Sequence, residues 1–312
     1  MKSSYNFTPE GWLFETTGNK RAVFSPTTLA EAQKNGDILE AQVLMCDEEH
    51  NLILDLGCMK GIIKRAEGAI GISEGKVKDI ALITKVGKPV CFTIEAIKTD
   101  RFGKLYAELS RKKAQIRFLD YLHSEKGIGS VIPARITHLE RFGAFCDIGC
   151  GIIALLPIDA ISVSRISHPS DRFKVSDDLK VIIKDIDASG RITLTHKELL
   201  GSWEENASLF SEGQTVSGIV RSVESYGIFI ELTPNLAGLA ETKENIYPGM
   251  CAGVYVKSII PEKMKIKLII IDAFDGEYTY PLKYFYEEDK MDFWQYSPGN
   301  CTKNIYTDFL HQ

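Results

Sequence analysis

The chain has no long hydrophobic run. Its longest apolar stretches, such as Leu268-Ile269-Ile270-Ile271, fall far short of the roughly 20 residues that a membrane-crossing helix needs. Positive charge is not in excess either. With 37 Lys+Arg against 42 Asp+Glu the net charge is -5, so no global basic field gathers a polyanion and any nucleic-acid surface must be local. The seven cysteines, Cys46, Cys58, Cys91, Cys146, Cys150, Cys251 and Cys301, are odd in number and scattered. Cys146 and Cys150 are the nearest pair, and no His or further Cys stands beside them at zinc-site spacing, which predicts buried reduced thiols and no metal. Clustered carboxylates at metal-binding spacing, a Gly-rich phosphate loop and a nucleophile motif are all missing. His168 and Asp171 flank Pro169, which reads as a loop. No catalysis and no cofactor is expected. The first nine residues carry one Lys and no apolar segment, so neither a secretory signal nor a presequence is expected and the cytoplasm is the default.

What is present is globular. Hydrophobic residues make up 44% and charged residues 25% of 312, an ordinary balance for two or three compact units. One internal offset keeps returning. Gly129-Ser130-Val131-Ile132 followed by Arg141-Phe142-Gly143-Ala144-Phe145-Cys146-Asp147-Ile148 is answered, 84 residues on and without a gap, by Gly213-Gln214-Thr215-Val216 and Ser225-Tyr226-Gly227-Ile228-Phe229-Ile230-Glu231-Leu232. A weaker copy runs from Gly36-Asp37-Ile38 through Leu52-Ile53-Leu54-Asp55-Leu56-Gly57 and lacks the Phe-Gly-x-Phe element.

Within each copy the period is two, the mark of strands, and turn residues come at short intervals. Ala144, Cys146 and Ile148 share one face, with Phe145 and Asp147 on the other. Ile228, Ile230 and Leu232 oppose Phe229 and Glu231 in the same way. In the hairpin from Lys184 to Thr195, Ile192 and Leu194 point inward, Arg191 and Thr193 outward. Two helical stretches lie between copies, one from Ser110 with Ile116, Leu119 and Leu122 inward, the other from Leu199 to Phe210 with Trp203 and Leu209. Beyond Asp272 the chain is aromatic, with the acidic cluster Glu287-Glu288-Asp289. That tail reads either as packing against the third copy or as a surface for a protein partner.

Gly-x-x-Val, then Phe-Gly-Ala-Phe-x-Asp-x-Gly, then Lys-Val-Ile-Ile-Lys-Asp-Ile-Asp-x-x-x-Arg-Ile-x-Leu resembles the RNA-binding domain named after bacterial small-subunit ribosomal protein S1. Leu199 to Ala207 and Ile166 to Phe173 further resemble the S1-like proteins of Gram-positive anaerobes. The resemblance covers Gly36 to Asp272 and implies an all-β chain of three tandem five-stranded OB-type barrels joined by short helical linkers. The expected layout is an N-terminal extension at 1–35, a degenerate barrel at 36–111, a helical linker at 112–127 and a well-matched barrel at 128–198. A second linker follows at 199–211, then a third barrel at 212–273 and the tail at 274–312.

The family's RNA face carries two aromatics, a third-strand His, and an Asp and Arg around the last hairpin. In the second copy the resemblance implies Phe142 and Phe145, Asp187 and Arg191, with Pro157 where the His would stand. In the third it implies Tyr226, Phe229 and Lys265, with Glu241 at the His position and Pro261 at the acid. In the first, His50 and Ile53 replace the aromatics and Lys64 the His. Independently of family, single strands are held by bases stacked on aromatic faces and by basic side chains along phosphates. Phe142 and Phe145 beside Arg141, Lys180, Lys184 and Arg191 supply both. Phe142 and Tyr226 also read as barrel-end plugs. The expectation is a non-catalytic binder of single-stranded RNA, messenger RNA in translation, with the small ribosomal subunit as a partner and no membrane. A protein-interaction scaffold or a transcript-control factor built on the same barrels is the alternative.

Overall fold

A computed structural model describes residues 7–276, 278 and 280–311. The chain forms two compact units. One runs up to Gly127 and takes in Pro133–Arg135 and Asp147–Ile153, and the other holds Ile128–Ile132, Ile136–Cys146 and the chain from Ala154 onward.

Two helices precede the first barrel, α1 (Thr17–Ala22) and α2 (Pro26–Asn35). α2 has clear local causes. The Ser25 hydroxyl accepts the Thr28 N–H in a reciprocal capping box, Pro26 sits in the first turn, and Gly36 ends the helix at φ 69°, a conformation glycine enters without a Cβ penalty. Leu29 and Ala32 carry its buried face into the first barrel's core. That barrel holds β1 (Leu39–Cys46), β2 (Leu52–Asp55), β3 (Lys60–Ile63), a short α3 (Ile80–Ile83), β4 (Pro89–Thr99) and β5 (Leu105–Ser110). Its strands close in the order β1-β2-β3-β5-β4. Phe92, Leu52, Leu54 and Leu109 fill the interior, each stabilising by about 1.5–3 kcal/mol relative to exposure.

α4 (Arg111–Glu125) follows β5 directly, capped by the Ser110 hydroxyl. It buries Ala114, Gln115, Phe118 and Leu122, whereas Ile116 is exposed. The sequence pattern put Ile116 inward. Phe118, one turn before Leu122, takes the place it was expected to hold.

The second barrel is β6 (Val131–Glu140), β7 (Gly143–Asp147), β8 (Ile153–Pro157), β9 (Asp178–Ile186) and β10 (Ile192–Thr195). A 3-10 turn at Lys197–Leu200 and α5 (Trp203–Ala207) lead to the third barrel. It consists of β11 (Thr215–Glu224), β12 (Gly227–Thr233), β13 (Leu236–Ala240), β14 (Cys251–Ile260) and β15 (Lys265–Phe274). All three barrels close alike, the third strand pairing in parallel with the fifth, and the pairs β1–β2, β4–β5, β9–β10, β11–β12 and β14–β15 are antiparallel. β11 and β12 begin 84 residues after β6 and β7, so the sequence offset is a repeat of strands. Trp203 is buried in the second unit's core, while Leu209 is 43% exposed and does not pack as expected.

The tail is laced into the second unit. β16 (Phe293–Gln295) pairs with β17 (Tyr306–Asp308). Met291, Trp294, Tyr296 and Phe309 join the core shared by the second and third barrels. Gly129 and Met291 bond through their backbones, the Trp203 N–H donates to the Tyr296 carbonyl, and the Tyr296 hydroxyl donates to the Asn235 carbonyl. The cluster Glu287-Glu288-Asp289 stays exposed.

Candidate nucleic-acid interface

Gly143 and Gly227 open β7 and β12, and a Cβ on either would sit 2.5 Å from the Leu156 carbonyl oxygen or 2.6 Å from that of Ala240. Only glycine lets the strand cross so close to its neighbour. The residues on either side of each glycine then reach the same outer surface. Phe142 is 56% exposed and Phe145 half-buried, their ring centroids 6.0 Å apart and their planes at 89°. Tyr226 and Phe229 repeat the arrangement at 6.1 Å and 87°. Edge-to-face pairs of this kind are mutually favourable and leave the outer ring's face open. Ala144, Cys146, Ile228 and Ile230 lie fully buried beneath them, as strand alternation requires.

One aromatic escaped the sequence reading. His138 on β6 is stacked on Phe145 at 6.4 Å and 27°, and its Nε2 lies 2.8 Å from Glu140. The family pattern looks for a His on the third strand, so one on the first went unnoticed. Of the cations expected beside the pair, Arg141 and Arg191 are exposed and Lys184 is half-buried. Lys180 is placed elsewhere: its ammonium lies 5.7 Å from the ring centre of Tyr284, whose hydroxyl accepts the Lys180 N–H. In the third barrel Lys265 is exposed at the start of β15, and Lys267 pairs in register with Leu239, itself opposite Phe229. Lys267, two residues along the same strand as Lys265, thus stands in register with Phe229 across β13 and was not singled out in the sequence.

Asp187 serves the hairpin. Its Oδ1 accepts the N–H groups of Ser189 at 2.8 Å and Arg191 at 2.9 Å, and the Ser189 hydroxyl. These bonds hold its pKa below the ordinary value. Asp100 makes the same turn in the first barrel, accepting from Phe102 and Lys104.

The strand acids depart most from expectation. Asp147 and Glu231 were placed on the outer face beside the aromatics, and both are interior, 4% and 0% exposed. Asp147 accepts the Glu10 N–H at 2.9 Å. Glu231 pairs with Arg172 at 2.5 Å and Arg221 at 2.9 Å. Burying the carboxylates against fixed donors leaves the outer surface to aromatics and cations.

The first barrel lacks the ring pair but has aromatics of its own. Phe102, at the tip of the β4–β5 hairpin, is 73% exposed with the Arg101 guanidinium 4.7 Å from its ring centre. It lines a groove with Tyr106, Ile62, Lys60 and Lys64. Glu108 at its floor pairs with Lys64 at 3.4 Å and Lys98 at 2.8 Å. A signal was available, since Arg101-Phe102-Gly103 repeats the triplet Arg141-Phe142-Gly143 on a different hairpin.

Closed barrels of one topology, each with an outer face carrying aromatics and lysine or arginine, define a tandem S1-type protein. Residues 125–197 match the family model of the S1 RNA binding domain. Small ribosomal subunit protein bS1 of Chlamydia trachomatis is 29% identical over 240 residues, 75% of this chain and 42% of that protein. Its counterpart in Staphylococcus aureus is 27% identical over 259 residues, 78% of this chain and 63% of that protein. The chain therefore spans less than two thirds of the length of these relatives. A solved multidomain protein with nucleic acid binding domains from Streptococcus pneumoniae aligns over 76% of this chain and 74% of its own at 15% identity and a TM-score of 0.26, too low to carry an argument. No helix among the described residues is long and apolar enough to cross a membrane.

Proposed function

We propose that the chain binds single-stranded RNA without transforming it, and holds messenger RNA at the small ribosomal subunit in the cytoplasm. The observation that carries this reading is the recurrence of one edge-to-face ring pair, Phe142 with Phe145 and Tyr226 with Phe229, at matching distance and angle in two barrels. A base stacked on such a ring contributes about 1–3 kcal/mol irrespective of its identity. Phosphates are met by Arg141, Lys184 and Arg191 on one barrel and by Lys265 and Lys267 on the other, with Asp187 shaping the turn that presents Arg191. Among the described residues no group of three His, Cys, Asp or Glu side chains is arranged to hold a metal ion, and nothing in the site favours a reaction. The scaffold alternative leaned on the degenerate first barrel and on the acidic aromatic tail, whose Trp294, Tyr296 and Phe309 are taken up in the core.

Sequencing RNA crosslinked to the chain in cells tests the reading. Enrichment at ribosome-binding regions of messages is the expected result, and a spread over structured RNA without such enrichment would remove messenger RNA from it.

A further inference from the structure

The second barrel brings to its surface a side chain that strand alternation would hide. Along β6, Ile132, Ala134 and Ile136 are buried, and the same period of two would send His138 inward as well. Instead Thr137 and His138 are both exposed, with 63% of the His138 side chain open to solvent, and the Thr137 hydroxyl donates to the Phe145 carbonyl at 3.0 Å. The counterpart in β11, 84 residues on, is a bulge. There the register with β12 slips between Val220 and Ser222, so that Arg221 is the extra residue and Ser222 stands opposite Phe229. A bulge re-aims the side chain that follows it, and the break in the alternation of β6 falls at the same place in the repeat.

What the break brings out is a ring. His138 lies nearly parallel to Phe145, with centroids 6.4 Å apart and planes at 27°, whereas Phe142 meets Phe145 at 89°. Its Nε2 donates to the Glu140 carboxylate at 2.8 Å, which fixes the imidazole by its edge and engages a charge that would otherwise confront a phosphate. Single strands are held by successive bases laid on aromatic faces, irrespective of sequence. We propose that His138 is a third base-stacking ring of the second barrel, so that this barrel seats one base more than the third barrel, where Ser222 stands in its place. The inference rests on the RNA-binding reading and extends it from a pair of rings to a run of three.

Fluorescence anisotropy of the full chain with a short labelled oligoadenylate tests it. His138→Ala and His138→Gln should each weaken binding by about fivefold or more, the lower end of what one stacked base contributes. His138→Phe keeps a ring and loses the nitrogens, and should bind as the unaltered chain does. The repeat supplies the converse: in a chain already carrying Phe142→Ala/Phe145→Ala, Ser222→His should tighten the remaining binding by a similar factor, since Glu224 follows Ser222 as Glu140 follows His138. The unaltered chain gives a readout that needs no variant, because the ring-proton NMR signals of His138 should move upfield as a base comes to lie over them. Full affinity in His138→Ala, a loss shared by His138→Phe, or ring signals that stay in place would overturn stacking at His138 while leaving the RNA-binding reading intact. Ser222→His without a gain would overturn the assignment of the difference between the barrels to this position. An oligoadenylate that fails to bind the unaltered chain would overturn both readings.

Discussion

Two phenylalanines three residues apart reach one surface because a glycine between them lets β7 run against β8. Phe142→Ala/Phe145→Ala should weaken binding of a single-stranded RNA by about 2–5 kcal/mol if each ring stacks a base. Circular dichroism should show the barrel still folded, since Ala144 and Cys146, not the rings, fill the interior. A folded double variant with full affinity in fluorescence anisotropy would remove the rings from the site, and an unfolded one would make Phe142 the barrel-end plug that the sequence also allowed. The buried carboxylates offer a second test at this scale. Glu40 accepts the N–H groups of Gly11 at 3.0 Å and Phe14 at 2.8 Å, and burial raises its pKa from 4.5 to about 7. A carboxyl raised on folding holds its proton in the folded state. Its contribution is complete below pH 4.5 and is lost as pH rises through 7. Glu40→Gln keeps an acceptor and carries no charge, so it should gain about 1–3 kcal/mol at pH 8 and little at pH 4. Thermal melts across that range check it. Glu10 works oppositely: burial is outweighed by Arg111 and Lys85, which bring it to about 2, so its contribution fades only as the medium turns strongly acidic.

At the scale of elements, the alternation of β7 and β12 was legible because strand periodicity is local. Asp147 and Glu231 were misread because what draws them inward is distant in sequence: Glu10 lies 137 residues from Asp147, and Arg172 lies 59 from Glu231. No window of a dozen residues contains such a partner. The first barrel's Phe102 was missed for a related reason, since an offset tuned to one hairpin does not search another. The tail was legible as aromatic and as packing against the third barrel, but its route was not, because its strands pair with each other and its bonds run to Gly129, Trp203 and Asn235. Trp294 sits in the core joining two barrels, so Trp294→Ala should cost about 3–5 kcal/mol. Its effect on RNA affinity measured below the new melting temperature should be small. A large loss of affinity with unchanged stability would turn the tail into part of the RNA surface.

For the molecule as a whole, charge is distributed so that a chain of net charge -5 still presents local cations, with Glu231 withdrawn into ion pairs and Asp147 onto backbone N–H groups. Binding should therefore fall with salt at a slope of about -0.7 per phosphate met. Full-length variants lacking the ring pair of one barrel separate the contributions. Losing Phe142 and Phe145 should weaken binding most, losing Tyr226 and Phe229 next, and Phe102→Ala/Tyr106→Ala least, because Glu108 already occupies Lys64 and Lys98. Linked barrels make each later contact effectively intramolecular, so removing either of the first two pairs should weaken binding and also flatten the salt slope. Equal effects from all three would show that charge, not stacking, sets affinity.

Closure of the three barrels bears on how such chains behave when crowded along one strand of RNA. A sheet that ends exposes a row of unpaired N–H and C=O groups, and a neighbouring copy can add to it strand by strand. In each barrel the parallel pairing of third and fifth strands removes that row. The open ribbon of β16 and β17 is only three residues deep on each side, too short to template much. Ile269 and Ile271, exposed on β15, lie beyond Lys267 and Leu268, the two residues that pair with β13; there β15 is bonded to β14, and the Lys243 ammonium covers the carbonyls of Ile270 and Ile271 on the other side. Copies set side by side on one strand, as the proposed function would have them, therefore meet few open edges along which their backbones could zip.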